Sequence, residues 1–309
     1  MTDDRLALQT AIAPVAWGTT YIALSELLPP DRPLLAALGR ALPAGLLLAA
    51  LFRGLPQGAW WWKAPLLGLL NVGGFFALLL ISADRLPGGV TATFGAVGPL
   101  VVAGLAWALL GTRPTLRIVA AGLAGVIGVA LLVLTASAAL DPLGVAAGVG
   151  ATLSASTGIV LTRRFGPPPQ GALVSAGWQL LAASAFLLPL TLVVEGTPVT
   201  PTGSQLAGFA YLALVTTALP YAFWFRGIAV LAPTRVAFLT LLSPTVATII
   251  GWAALGQGLT PVQALGMAIA LGSVVAGQGA LPRLDLRARL ARRRLPALSE
   301  RAAPAPSRP

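Results

Sequence analysis

The chain has 309 residues, of which 57% are hydrophobic and only 9% charged, with a formal net charge of +11 and a mean hydropathy of +0.86. A soluble domain carries roughly 25% charged residues, so this composition excludes a water-solvated globule and fits lipid as the solvent. Cysteine and histidine are both absent, which excludes disulfides, thiolate nucleophiles, imidazole acid–base chemistry and the usual zinc and haem ligands.

A helical span needs about 20 apolar residues. The first apolar run, 6–28, follows Thr2-Asp3-Asp4-Arg5, without the basic region that opens a secretory signal, and it outlasts a signal's apolar stretch; it reads as a first membrane span. Beyond Pro29-Pro30, runs follow near 33–52, 64–83, 88–110 and 116–136, interrupted by breakers such as Gly54 to Gly58 and Pro87-Gly88-Gly89. A second set lies near 142–162, 171–194, 204–225, 231–255 and 260–281, with breaks at Pro167 to Pro169 and Thr197 to Pro201. The expectation is an all-α integral membrane protein of ten transmembrane helices, with no loop large enough for a separate domain.

Charge provides a second, independent criterion, because cytoplasmic loops are enriched in Lys and Arg. With the N-terminus inside, 17 of the 20 basic residues fall on the inner face: Arg5, Arg53, Lys63, Arg113, Arg117, Arg163, Arg164, Arg226, Arg235 and eight arginines of the C-terminal tail. Arg32 and Arg85 fall outside with Glu26, Asp31, Asp84, Asp141 and Glu195, and Arg40 lies within the second span. The predicted placement is a multi-pass protein of the cell inner (plasma) membrane with both termini cytoplasmic. Basic residues spread over alternating loops argue against nucleic acid as a partner. The partners expected are the bilayer and a small-molecule substrate, and a homo-oligomer is compatible with the composition. The tail from Arg283 onward reads as a solvated topology anchor, with a basic amphipathic helix on an anionic leaflet over 284–295 as the alternative.

The chain also resembles itself at an offset of 145 residues. Between 86–115 and 231–260 nine positions are identical, including Pro99/Pro244, Trp107/Trp252, Gly111/Gly256 and Thr115/Thr260, and after a one-residue deletion Gly122/Gly266 and Gly128/Gly272 continue the match. Five spans per unit is an odd number, so the second copy enters the membrane from the opposite side. The predicted organisation is a pair of inverted-topology five-helix repeats, 1–138 and 139–282, followed by a basic tail, 283–309. Inverted repeats place a binding site near the bilayer midplane where the halves meet and permit alternating access.

Trp17-Gly18-Thr19-Thr20, Arg40 in the second span, and the paired segments Pro99 to Thr115 and Pro244 to Thr260 resemble the EamA-type units of the drug/metabolite transporter (DMT) superfamily over roughly residues 8–280. The resemblance implies export or exchange of amino acids, related metabolites or organic cations, without ATP hydrolysis by the chain. One departure stands out. Many members carry a glutamate after the glycine closing the fourth and ninth spans, whereas this chain has Gly111-Thr112-Arg113 and Gly256-Gln257-Gly258, so no role of those carboxylates carries over.

Polar side chains inside spans are costly unless they face a bundle interior or a watery cavity, which makes each a candidate. Arg40, about ten positions into its span, needs a substrate carboxylate, a carbonyl cluster or an acid such as Glu26 or Asp84. Trp17, Thr20 and Tyr21 share a helix face by their spacing, as do Ser175, Trp178 and Gln179; both faces mix aromatic surface with hydrogen-bonding groups. Interfacial anchoring is the alternative for the tryptophans. Asn71, Tyr221 and Trp224 complete the expected substrate-binding set, with Thr91, Thr93, Thr216, Thr217, Thr240 and Ser243 as further candidates whose hydroxyls otherwise bond within their own helix. Pro99 and Pro244 are candidate hinges at equivalent repeat positions.

No catalytic constellation, cofactor motif or metal ligand set is present in the sequence, so an enzyme is not expected. The predicted function is a permease or exporter of small metabolites, most plausibly amino acids or derivatives, by alternating access. Export of organic cations or drugs, and a non-transport membrane scaffold, are the competing readings. Without an embedded histidine, a substrate-driven exchanger and a proton antiporter both remain open, with Glu26 the one carboxylate of the first span.

Overall fold

The computed structural model describes residues 3–29, 31–86, 93–133, 141–197, 200–255 and 260–279, with the side chains of Tyr21, Leu24, Ser25, Ala83, Asp84, Val133, Ala254 and Leu255 outside that description. Every regular element among the described residues is helical. The tail 283–309, the expected repeat boundary near 138, the candidate Thr91 and the Gly256-Gln257-Gly258 stretch lie outside the described residues.

The first apolar run forms two helices, α1 (Asp3–Gly18) and α2 (Thr20–Leu27), where one unbroken span is expected from hydropathy. Pro14 removes one ladder hydrogen bond inside α1, and Thr19 ends that helix by turning both its N–H and its hydroxyl to the Ala16 carbonyl, at 3.1 and 2.7 Å. Helix α3 (Pro33–Leu51) begins on a proline, whose missing N–H is not needed in a first turn. Then come α4 (Trp60–Gly68) and α5 (Gly74–Arg85), joined without a break by a π-helical turn, Leu69–Gly73. Further along are α6 (Gly98–Leu110), α7 (Leu116–Val133), α8 (Pro142–Phe165) and α9 (Ala172–Val194). A second π-helical turn, Leu214–Ala218, joins α10 (Gly203–Ala213) to α11 (Leu219–Val230). The chain closes with α12 (Pro233–Leu239), α13 (Leu242–Leu255) and α14 (Pro261–Gly277).

Six of the described segments are long and apolar enough to cross a membrane: Pro33–Leu51, Trp60–Ser82, Pro142–Phe165, Ala172–Val194, Gly203–Val230 and Pro233–Ala253. Gly98–Leu110, Leu116–Leu132 and Pro261–Gly277 are apolar but shorter. This is a multi-pass membrane fold. Side chains such as Leu123, Ile127 and Val193 point outward and exposed, which suits hydrocarbon and would be unfavourable in water.

Helices far apart in sequence pair closely. Helix α3 packs on α9, α7 on α14, α1 on α11 and α5 on α8. Each pair joins the chain's first half to its second. The close approach of α7 to α14 depends on two glycines: a Cβ on Gly128 would stand 2.5 Å from Ala270 N, and one on Gly266 would stand 2.6 Å from the Gly128 carbonyl oxygen. Small residues let helix backbones meet in lipid, where dispersion replaces the hydrophobic effect as the driving force.

The interhelical ends are tied by charge. Glu195, at the C-terminal end of α9, accepts from the N–H groups of Leu34 and Leu35 at 2.5 and 2.9 Å, so its carboxylate covers the unpaired donors of α3. Next to it Arg32 donates to the Thr197 carbonyl at 2.9 Å. Elsewhere Arg235 holds Asp4 at 2.9 Å, Asp3 at 3.6 Å and the Gln278 side chain at 3.2 Å, and Arg85 approaches Asp141 at 3.7 Å.

Candidate binding site

The two π-helical turns are the polar centre of the fold, and they lie 145 positions apart, Leu69 to Leu214 and Gly73 to Ala218. A π turn widens the helix by one residue and leaves backbone carbonyls poorly paired along its axis, which makes it a place where side chains from other helices can bond.

Arg40, 6% exposed in the middle of α3, reaches the second turn: Nε donates to Thr217 Oγ1 and Nη2 to the Thr216 carbonyl, both at 2.9 Å. Its guanidinium carbon sits 5.0 Å from the centre of the Phe76 ring, a cation–π contact from α5. A backbone carbonyl and a threonine hydroxyl are thus among the partners of Arg40.

Gln179, fully buried on α9, makes the matching contact with the first turn. Its Oε1 accepts from Asn71 Nδ2 at 2.9 Å while its Nε2 donates to Ser175 Oγ at 3.0 Å. Asn71 also donates to Thr162 Oγ1 at 3.2 Å, and its Oδ1 lies against Gly158, where any Cβ would collide with it. Helices α8 and α9 and the first π turn thus meet in one amide network.

A third group is aromatic. The Trp17 ring stands 4.9 Å from Trp224, edge to face, and 5.5 Å from Tyr221, which in turn lies 5.5 Å from Phe225. Tyr221 and Trp224 are buried on α11, and Trp17 is half-buried. Thr20, three positions after Trp17, is also buried. Neither the Trp17 Nε1 nor the Thr20 Oγ1 has a hydrogen-bond partner. The Tyr21 side chain lies outside the described residues.

Trp178 does not join this group. Its indole N–H donates to the Gly54 carbonyl at 2.8 Å and its ring lies tilted against Trp60 with centroids 6.1 Å apart, so it braces a loop end, near the Lys63 ammonium held among Trp60, Trp62 and Phe165. Pro99 and Pro244 each follow a break in a helix, at Val97 and at Thr240-Leu241, and both sit in the first turn of the helix after it. Thr240 bonds its own helix through the Ala237 carbonyl at 2.7 Å.

Phe76 escaped the polarity criterion because it is apolar. It stands 145 positions before Tyr221, so the repeat offset was the available signal for it. Thr162 and Phe225 carried no such signal.

The profile of the EamA-like transporter family matches the chain twice, over residues 6–134 and 142–276. Protein PecM of Dickeya dadantii is 41% identical over 265 residues, covering 85% of this chain and 89% of that protein. A WAT1-related chloroplastic protein of Arabidopsis thaliana is 28% identical over 276 residues, covering 82% of this chain and 65% of its own length. One crystal structure superposes with a TM-score of 0.74 at 19% identity, over 88% of this chain and 97% of the other, which bears on the fold alone.

Proposed function

The chain belongs to the EamA-like transporter family, and from that premise we propose that it is a permease moving small metabolites, amino acids or their derivatives, by alternating access between two inverted five-helix halves. Transport of small molecules across a membrane by this fold, without catalysis, is the family's general activity. The count of ten spans, the halves 1–138 and 139–282, the cell inner membrane and the cytoplasmic placement of both termini belong to the proposal.

The observation that carries it is the exchange of polar contacts between halves. Arg40 of the first bonds the π turn of the second, while Gln179 of the second bonds Asn71 in the π turn of the first. The double profile match and the pairing of α1 with α11 and α5 with α8 support the same two-fold plan. A structure built this way has a second arrangement of equal standing, reached when each half takes up the other's geometry, and rocking between the two exposes a central site to alternate sides.

In this reading Trp17, Thr20, Tyr221 and Trp224 line the substrate path, with Tyr21 a candidate by its place in the sequence alone, Arg40, Asn71 and Gln179 form its polar floor, Trp178 supports it from the loop end, and Pro99 and Pro244 absorb the bending. No described carboxylate is buried, which favours solutes bearing an acceptor over organic cations, for which a buried anion is the natural partner.

The test is reconstitution of the purified chain into liposomes with a panel of labelled amino acids, nucleosides and organic cations. Uptake or counterflow of an amino acid or derivative above protein-free liposomes is the expected result. A whole panel at background overturns the permease reading, and movement of cations alone transfers it to the drug-export alternative.

A further inference from the structure

Threonines buried in these helices follow one habit. Thr10, Thr152, Thr162, Thr191, Thr216 and Thr245 each donate their hydroxyl to the carbonyl four residues back, at 2.7 to 3.1 Å. Thr217 instead receives Arg40. Thr20 alone among the described buried threonines has a hydroxyl with no partner.

The cause is local. The carbonyl four residues before Thr20 belongs to Ala16, and Thr19 already occupies it with both its N–H and its hydroxyl as the helix breaks. Thr19 keeps right-handed helical angles, φ −80° and ψ −11°, so Trp17 and Thr20, three positions apart, stay on one side of the broken helix. Trp17 Nε1 is the second polar atom left unpaired there, whereas the indole of Trp178 is satisfied.

A buried donor without an acceptor is destabilising, and two three positions apart at the break of a helix are a cost the sequence could remove with Val and Phe. We propose that Trp17 Nε1 and Thr20 Oγ1 together form the subsite for a single sp2 oxygen of the transported solute, a carbonyl or a carboxylate, whose apolar body lies on the Trp17, Tyr221 and Trp224 rings. An indole N–H only donates, so it selects an acceptor and rejects an ammonium. The hydroxyl of Thr20 donates to the same oxygen, and no ionic partner is required. The inference rests on the permease reading and narrows it to acceptor-bearing solutes.

Binding by the full chain in lipid nanodiscs tests it with three probes of one ring and different head groups: phenylacetate, phenylacetamide and phenethylamine. The acid and the amide are expected to bind and the amine not to; a preference for one of the two identifies a carboxylate or a neutral carbonyl as the source of the oxygen. Thr20→Val and Trp17→Phe keep shape and ring while deleting one donor each, and each is expected to weaken that binding about three- to tenfold. Because Thr20 bonds nothing in the empty protein, Thr20→Val removes an unsatisfied buried hydroxyl and is expected to raise the unliganded melting temperature, while Thr217→Val, which removes the Arg40 acceptor, lowers it. Equal binding of the amine, no binding of either acceptor probe, or full affinity in both variants overturns the inference. Such a result leaves the permease reading standing if the liposome panel is transported, and the two failures are thereby distinguished.

Discussion

Arg40 and Gln179 stand in the same relation to opposite halves of the chain: each leaves its own long helix to hydrogen-bond a π-helical turn of the other half, Arg40 at Thr216 and Thr217, Gln179 at Asn71. One contact is charged and the other neutral. The two turns stand 145 positions apart in the chain, but the contacts they receive differ in chemistry.

Arg40→Ala removes the bonds to Thr217 Oγ1 and the Thr216 carbonyl and the contact with Phe76. Hydrogen bonds to charged groups contribute about 1.5–3 kcal/mol each, so a lower melting temperature in detergent and loss of transport are both expected. Arg40→Lys restores charge but only one of the two bonds and is expected to fall between. Transport unchanged in a folded Arg40→Ala protein would remove Arg40 from the site.

Asn71 and Gln179 are predicted to be energetically coupled. A double-mutant cycle with Asn71→Ala and Gln179→Ala, read by thermal unfolding, is expected to give a coupling of about 0.5–1.5 kcal/mol, the range for interhelical side-chain bonds in lipid. Strictly additive effects would show that the 2.9 Å contact contributes nothing to holding the halves.

Gly158→Ala probes the same network without touching a polar atom. The added methyl collides with the Asn71 amide, and overpacking of this kind costs about 1–3 kcal/mol. The expected outcome is reduced stability that Asn71→Ala, by clearing the space, partly restores. An unaltered melting temperature would mean that α8 can move away from the turn.

Glu195→Gln keeps the shape of the cap on α3 but removes its charge. An anion at a helix N-terminus contributes about 0.3–1 kcal/mol when exposed and up to about 2 kcal/mol when partly buried. A destabilisation in that range is expected, with salt reducing the difference between the two proteins because the group is only part-buried.

Much of this molecule is legible in its residues one at a time. Hydropathy marks where lipid must surround a helix, lysine and arginine mark loops, and the 145-residue echo relates the two stretches that match the family profile, since each of these properties is carried by local stretches of chain. Even the unusual status of Arg40, Asn71 and Gln179 follows from the cost of polar atoms in hydrocarbon.

Which partner each one takes does not follow. Both π turns lie inside continuous apolar runs and leave no mark in composition; the backbone of the first accepts a bond from Ser154 of α8 at the Leu70 carbonyl, and that of the second one from Arg40 of α3 at the Thr216 carbonyl. The Tyr211 hydroxyl that meets Thr19 at 2.6 Å and the separation of Trp178 from Trp17 are likewise decided by helices that meet across more than a hundred residues of sequence. Composition and periodicity determined that these polar groups must be satisfied away from water. Only the crossing of the helices decided by what.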